Sequence, residues 1–399
     1  MLVILAPGQG AQTPGFLAPW LEVPGFEDRL TWLSAAAGLD LVAHGTTSDA
    51  ETIRDTAVAQ PLIVAAGLVS LLALFPHPGD AFGQVGAGAG HSVGEITAAV
   101  GTGVLSAEQG MVLVRERGRA MAAASATTPT TMAAVVGGDH DEVLAAIEQH
   151  GLTAANHNGT GQVVAAGTVA QVDALRAAPP AKARVIPLSV AGAFHTHHMA
   201  PAVSRLERYA RAITTHDPRT RLLSNRDGAV VHDGRDALDR IVGQVASPVR
   251  WDLCMRTMAD LGVTAVIEVP PAGTLTGLVK RNLPGVETLA LKTPDDLDAA
   301  RRLVQEHGTP SPLSTTPTWR LLVAPSAGTW RAAGTTPGAT LEPGAPVGVV
   351  ATHRDEHTVS APHGGTVVEL LVEDGDPVRP GQPLVRLHPE AAHPEAVLA

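Results

Sequence analysis

The 399-residue chain is poor in cysteine, lysine, aromatic residues and long apolar runs, and each shortage excludes something. Cys254 is its only cysteine, which rules out an intramolecular disulfide and suits a reducing compartment. Its three lysines, Lys182, Lys280 and Lys292, are scattered among arginines, and the net charge is −11, so no basic run marks a nucleic-acid partner. Aromatic residues make up 3% of the chain, so the core must be mainly Leu, Val and Ala. No stretch approaches the ~18 uninterrupted apolar residues of a membrane span. The apolar start, Leu2 to Ala6, breaks at Pro7 with no basic region ahead of it and reads as a buried strand rather than a signal. With 45% hydrophobic and 17% charged residues, the chain is expected to be globular, soluble and cytoplasmic, with more than one domain.

Residues 1–125 alternate short apolar strands with amphipathic helices, the pattern of an α/β layer with a parallel sheet, and the alternation resumes over 199–307. Between them, 126–198 read as strand, helix, strand, strand, helix, strand, the order of a ferredoxin-like insert. "GTPSPLSTTPT" at 308–318 is a linker with nothing to bury. Beyond it, over 319–388, "LVAPSAGT" returns as "VSAPHGGT" and "LEPGAPVGVV" as "VRPGQPLVRL", both 37 residues later, which predicts two related β-units.

The chemistry concentrates around "GAGAGHSVGE", residues 86–95. Ser-x-x-Glu at Ser92 and Glu95 is a capping box, and helix capping alone would account for both residues. Gly90 and Gly94 add the second possibility: a nucleophile elbow, in which strand and helix approach too closely for side chains on either side of a strained serine. "APGQGAQ" at 6–12 follows the first strand, at the carboxyl edge where open α/β sheets bind ligands. Facing the elbow, it would let the backbone N–H groups of Gln9 and Val93 form an oxyanion hole. The strand before the serine, "QVGAGAG", is glycine-rich and predicts a loosened elbow. His195, His197 and His198 form a cluster without the acidic or thiol ligands a metal site needs, so no metal is expected.

"PGQGAQ", "GHSVGE", "RERGRAM", "NHNGTGQVVAAG", "GAFHTHHM", "SPVRW" and "EVPPAGTLTGLVKR" occur in an order and spacing that resemble malonyl-CoA:acyl carrier protein transacylases and polyketide-synthase acyltransferase domains over residues 1–307. The resemblance implies a hydrolase-like α/β domain with a ferredoxin-like insert, and an acyl-enzyme at Ser92 with His195 as its base. It implies that the main-chain carbonyl of Arg250 orients His195 and that Arg117 grips the free carboxylate of malonyl-CoA. Phe194 would then select malonyl over branched acyl groups, and Asn158 and Gln162 would line the cleft. The implied partners are malonyl-CoA and an acyl carrier protein, with Arg205, Arg208, Arg211, Lys280 and Arg281 as docking cations and no bound cofactor. Three alternatives stay open: a thioesterase on the same elbow, malonyl transfer to a malonate decarboxylase carrier, and a non-catalytic docking subunit.

The repeat at 319–388 is similar to biotinyl/lipoyl domains, small all-β barrel-sandwiches. Those domains carry the cofactor on a lysine eight residues before a proline that matches Pro362, and here that position is Arg354. A guanidinium cannot take the cofactor as an amide, so the module is expected to serve as a spacer or interaction domain.

Overall fold

The structure is a computed structural model and describes residues 1–190, 192–311 and 320–388. The chain divides into two compact units, Met1–Ser314 and Thr315–Ala399. Residues 312–318 of the expected linker lie outside the described residues.

The first unit holds, in chain order, β1 (Leu2–Ala6), β2 (Ala87–Gly90), β3 (Thr130–Gly137), β4 (Thr153–His157), β5 (Gln162–Thr168), β6 (Ala183–Pro187), β7 (Arg221–Leu223), β8 (Val230–Val231), β9 (Ala265–Glu268) and β10 (Glu287–Ala290). Six of them make one sheet, ordered β10-β9-β1-β2-β7-β8, parallel throughout except for the β7–β8 pair. Because side chains alternate along a strand, β1 sends Leu2, Ile4 and Ala6 into one core and Val3 and Leu5 into the other. A strand buried on both faces has to be apolar at every position, which is why "LVILA" shows no alternation.

Helix Thr56–Leu74 lies in the larger core, with mean hydropathy 2.2 and 78% of its most apolar window buried. By length and composition it could cross a membrane, although Gln60 and Ser70 interrupt its apolar run. Helix Ala107–Ser125 begins on a capping box of Ser106 and Gln109. It approaches Thr56–Leu74 so closely at Gly118 that a Cβ there would press on the Thr56 carbonyl.

The insert is an antiparallel sheet ordered β4-β5-β3-β6 with two helices, His140–Gln149 and Val169–Ala177, around its own small core. This is the ferredoxin-like βαββαβ arrangement. The "SPVRW" segment joins it to the main sheet's domain: Val249 donates to the Ala155 carbonyl (2.8 Å) and accepts from His157 N–H (2.8 Å). "EVPPAGT" also has a structural use. The buried Glu268 carboxylate accepts from the N–H groups of Gly273, Leu275 and Thr276 (2.8, 2.9 and 2.8 Å), satisfying the open end of helix Thr274–Asn282.

The glycine-rich strand is not loose. β2 is fully buried and paired on both sides, in register from Val3↔Ala87 to Ala6↔Gly90 and against β7. Its glycines make room for neighbours: a Cβ on Gly88 would touch Thr102, and one on Gly90 would overlap the backbone of Gly94. Gly94 in turn has no space against the Ala6 carbonyl.

The second unit has β11 (Arg320–Val323), β12 (Gly328–Ala332), β13 (Thr340–Leu341), β14 (Ala345–Ala351), β15 (Glu356–Ala361), β16 (Gly365–Leu370), β17 (Pro377–Val378) and β18 (Pro383–His388). They form two antiparallel sheets, β11-β18-β16-β13 and β15-β14-β12-β17, around Trp330, Val347, Val350, Leu384, Val385 and Leu387. Exchanging the two 37-residue repeats turns one strand order into the other, so the sequence repeat is a structural pseudo-twofold. Arg354 is exposed in the four-residue turn between β14 and β15.

Replacing Gly94 by alanine should destabilise the first unit by about 1–3 kcal/mol, because strand and helix must separate to admit one methyl group. Denaturant titration of Gly94→Ala against wild type measures it. An unchanged midpoint would mean the approach is looser than drawn.

Candidate active site

β1 and β2 end side by side, so the loops that follow them emerge together at the carboxyl edge of the sheet. His91 N–H donates to the Ala6 carbonyl (2.9 Å), and Gly8 packs closely on His91, where a Cβ would come within 3.1 Å of its ring and carbonyl. This contact sets the Gln9 loop facing the elbow. The N–H groups of Gln9 and Val93 donate to no protein acceptor among the described residues. The Gln9 side chain turns away and donates to the Arg54 carbonyl (3.1 Å).

Ser92 has φ 55°, a left-handed conformation costly for a residue with a Cβ. It does not cap the helix. Helix Gly94–Gly101 starts two residues later, after Val93, and Glu95 turns inward to accept from Asn225 N–H (2.7 Å). The capping box is therefore not formed, and the serine hydroxyl is free for other partners. His195 Nε2 lies 2.8 Å from Ser92 Oγ, and Arg117 donates to the same oxygen at 3.3 Å.

His195 comes from the loop after β6 and also has a left-handed backbone, φ 62°. Its N–H donates to the Val245 carbonyl (3.1 Å), and its Nδ1 bonds the Gln244 carbonyl (3.0 Å). The orienting carbonyl is thus that of Gln244 and not that of Arg250. The difference has a physical cause. Gln244 ends helix Gly234–Gln244, at the negative end of its dipole, and its carbonyl accepts one backbone N–H, that of Ser247 (3.1 Å), which leaves its second lone pair for a ring N–H. Arg250 stands at the start of the next helix, and its carbonyl is already taken by Leu253 and Cys254 N–H. Burial, reinforced by the Arg117 charge, pushes the His195 pKa down to about 3, against the pull of the Gln244 carbonyl. The imidazole is neutral at physiological pH and ready to accept a proton.

Arg117 is 2% exposed. Its guanidinium donates to Gln60 Oε1 (2.7 Å) and Ser92 Oγ, both neutral, while Nε has no partner. Desolvation lowers its pKa to about 10, still charged at neutral pH. Glu95 is the acidic group acting on it through space, and burial raises that carboxyl to about 8, leaving it largely protonated at neutral pH. An ordered cation without a close anion is costly unless a ligand brings one.

Phe194 is buried beside His195 in the main core. Asn158 lies close behind the elbow, its Oδ1 3.0 Å from His91 Nε2, and so fixes His91. Gln162 is not brought to the serine: its side chain faces Arg281 (3.4 Å) at the surface. His197 and His198 stack on each other at 4.1 Å, apart from the His195 bonds. Arg205 is tied to Glu116 (2.9 Å), whereas Arg208, Arg211, Lys280 and Arg281 are exposed.

The unforeseen residue is Asn225, fully buried. Its Oδ1 accepts from Ser92 N–H (2.8 Å) and its Nδ2 donates to the Gly90 carbonyl (2.7 Å). One side chain therefore braces the backbone on both sides of the elbow. Gln60, which holds Arg117, was equally unforeseen.

Likenesses to known proteins bear on this geometry. Residues 5–295 match the acyl transferase domain family, and residues 321–387 match a family described as biotin-requiring enzyme. The malonyl CoA-acyl carrier protein transacylase of Mycobacterium bovis is 51% identical over 308 residues, covering 76% of this chain and all of that protein. The chain belongs to the malonyl-CoA:acyl carrier protein transacylase family. The Escherichia coli K12 transacylase is 34% identical over 304 residues, covering 74% of this chain and 97% of its own length. The crystal structure of the Mycobacterium tuberculosis enzyme matches with TM-score 0.73 and 51% identity, over 75% of this chain and 99% of that one. A malonyl-transacylase crystallised with a type II polyketide acyl-carrier protein matches with TM-score 0.69 and 28% identity, over 75% and 99%. The transacylase family thus accounts for the first unit. In the second, Arg354 at the hairpin turn does not fit covalent biotin or lipoate, since no lysine follows Lys292.

Asn225→Ala should cost about 1–3 kcal/mol of stability, since it orphans a buried N–H and a buried carbonyl. It should also slow Ser92 acylation at unchanged KM, read by denaturant titration and initial rates. The low pKa of His195 predicts that kcat/KM for acylation stays within about twofold from pH 8 to pH 5, with no loss near 6.5. Stability should respond oppositely: unfolded His195 takes up a proton below about 6.5, so folding free energy contributed by the neutral ring is lost as pH falls toward 3.

Proposed function

We propose that the chain moves a malonyl group from coenzyme A to the phosphopantetheine thiol of an acyl carrier protein, through a malonyl ester on Ser92. The observation that carries this reading is the buried Arg117 guanidinium, 3.3 Å from the nucleophile and without an ion pair among the described residues. An acyl group esterified to Ser92 brings its second carboxylate to Arg117 only if it is short, and malonyl, with a single methylene between its two carbonyl carbons, is short enough. A neutral acyl chain would leave the cation unpaired, which disfavours it by about 3–5 kcal/mol.

In the first half-reaction Ser92 Oγ attacks the thioester carbonyl while its proton passes to His195 Nε2. The oxyanion is held by the N–H groups of Gln9 and Val93 together with the positive end of helix Gly94–Gly101. The carbon–sulfur bond breaks, and the coenzyme A thiolate leaves with the proton from His195. In the second, the carrier thiol gives its proton to His195, attacks the ester carbonyl, and Ser92 recovers its hydroxyl proton as the carbon–oxygen bond breaks. The Gln244 carbonyl, at a helix C-terminus, steadies the transient imidazolium without a carboxylate. Once the malonyl carboxylate offsets Arg117, that part of the downward pressure on the His195 pKa is removed. The ring becomes a stronger base in the step that needs it.

A cleft of about 430 Å³ opens beside Gln9, lined by Arg54, Leu188, Ser189 and Val190 among others, and Arg54 suits the phosphates of coenzyme A. Arg208, Arg211, Lys280 and Arg281 are the exposed cations proposed to meet an acidic carrier, which fits cytoplasmic acyl-chain synthesis. The second unit is proposed as a spacer or partner-binding module.

Intact-mass analysis tests the reading directly. Malonyl-CoA should add one malonyl group, Ser92→Ala should abolish the addition, and a holo carrier protein should remove it. Labelling by acetyl-CoA as complete as by malonyl-CoA, or an Arg117→Ala variant that keeps malonyl preference, would defeat it. Release of free malonate without a carrier would favour a thioesterase instead.

A further inference from the structure

A second cavity, of about 390 Å³, opens on the first unit and serves none of the steps above. Ile4 and Ala6 of β1 and Gly88 of β2 form its floor; Leu68, Leu72 and Phe75 are among its apolar walls. The wall also includes Thr97 and Ala98, on the helix that follows Ser92. Such a hollow is unusual where interiors are close-packed, and its lining is suited to hydrocarbon rather than water.

Its exposed rim is chemically distinct. Trp32 is 50% exposed and Glu108 is exposed. Arg219 lies over the Phe82 ring at 4.2 Å, and its own N–H donates to Thr102, which with Thr220 lines the cavity. The Arg219 guanidinium has no ion pair among the described residues. An apolar chamber with the exposed Arg219 guanidinium stacked on Phe82, one of its lining residues, is complementary to an amphiphile with one anionic head. Glu108 at the same rim opposes a second negative charge, so a monocarboxylate fits better than a phosphate ester.

We propose that this cavity binds a free long-chain fatty acid, with the alkyl chain against β1, β2 and the helix after Ser92, and the carboxylate at Arg219. The inference concerns binding alone and does not depend on the proposed transfer reaction.

The test is titration of the full chain with straight-chain carboxylates of increasing length, below their micellar concentrations, by calorimetry and by tryptophan fluorescence. Kd should fall about fourfold per added methylene until the chamber is full. Arg219→Gln should weaken carboxylate binding about tenfold while leaving the matching primary alcohol unchanged. Trp32→Phe should remove the fluorescence change but not the heat.

Gly101→Leu, where a Cβ meets only Leu71 at 3.6 Å, should fill the chamber and abolish binding with malonylation intact. Ala107→Leu is the second filling variant should the first fail to fold. Affinity independent of chain length, or undiminished in both filled variants, overturns the proposal. A long-chain acyl-CoA that binds a filled variant as well as wild type occupies the coenzyme A cleft instead.

Discussion

The structure depends on holding one serine in a backbone conformation it would not choose. A left-handed Ser92 is tolerable only because its surroundings over-determine it. Gly90 and Gly94 let strand, helix and the β1 loop close to contact, and Asn225 then ties the residue's N–H and the carbonyl two positions earlier to one amide. This posture presents the hydroxyl to the cleft and leaves the Val93 N–H without a protein acceptor. A serine relaxed into an ordinary helix cap would lose the aim of both.

Charge in the site is arranged around the same point. A guanidinium, an imidazole and a carboxyl group are all buried near Ser92, and desolvation pushes each toward its neutral form. Arg117 keeps its charge because its ordinary pKa is so high. His195 and Glu95 give theirs up, the first entirely and the second largely, at neutral pH. The site is thus a neutral base beside an unanswered cation, an arrangement biased toward an anionic acyl group before any bond is made.

Much of this was legible in the residues. A five-residue apolar run had to be a doubly buried strand, two glycines flanking a serine implied close approach, and the strand-helix-strand-strand-helix-strand rhythm matches β3 through β6, Thr130 to Pro187. The offset of 37 residues foretold a pseudo-twofold whose strand orders interchange. What could not be read was carried by the backbone. A carbonyl has no residue identity, so the choice of Gln244 over Arg250 follows from where two helices end and begin. Asn225 and Gln60 carried no signal, because an isolated amide in a sequence does not reveal what it will brace. Gln162 illustrates the reverse error, since a strand's alternation turned its side chain outward. The glycines of β2 looked like weakness because packing partners such as Thr102 and Gly94 are invisible along one strand.

The second unit is closed by its own ends. β11 and β18, the first and last strands among the described residues, pair antiparallel from Arg320↔Leu387, so the described ends of this module lie side by side. A body with that property is a cassette: it can be appended to, or inserted in, another polypeptide without forcing a detour in the host. Its hairpin turn at Arg354 belongs to the other sheet, β15-β14-β12-β17, so the turn and the seam are carried by different strand pairs.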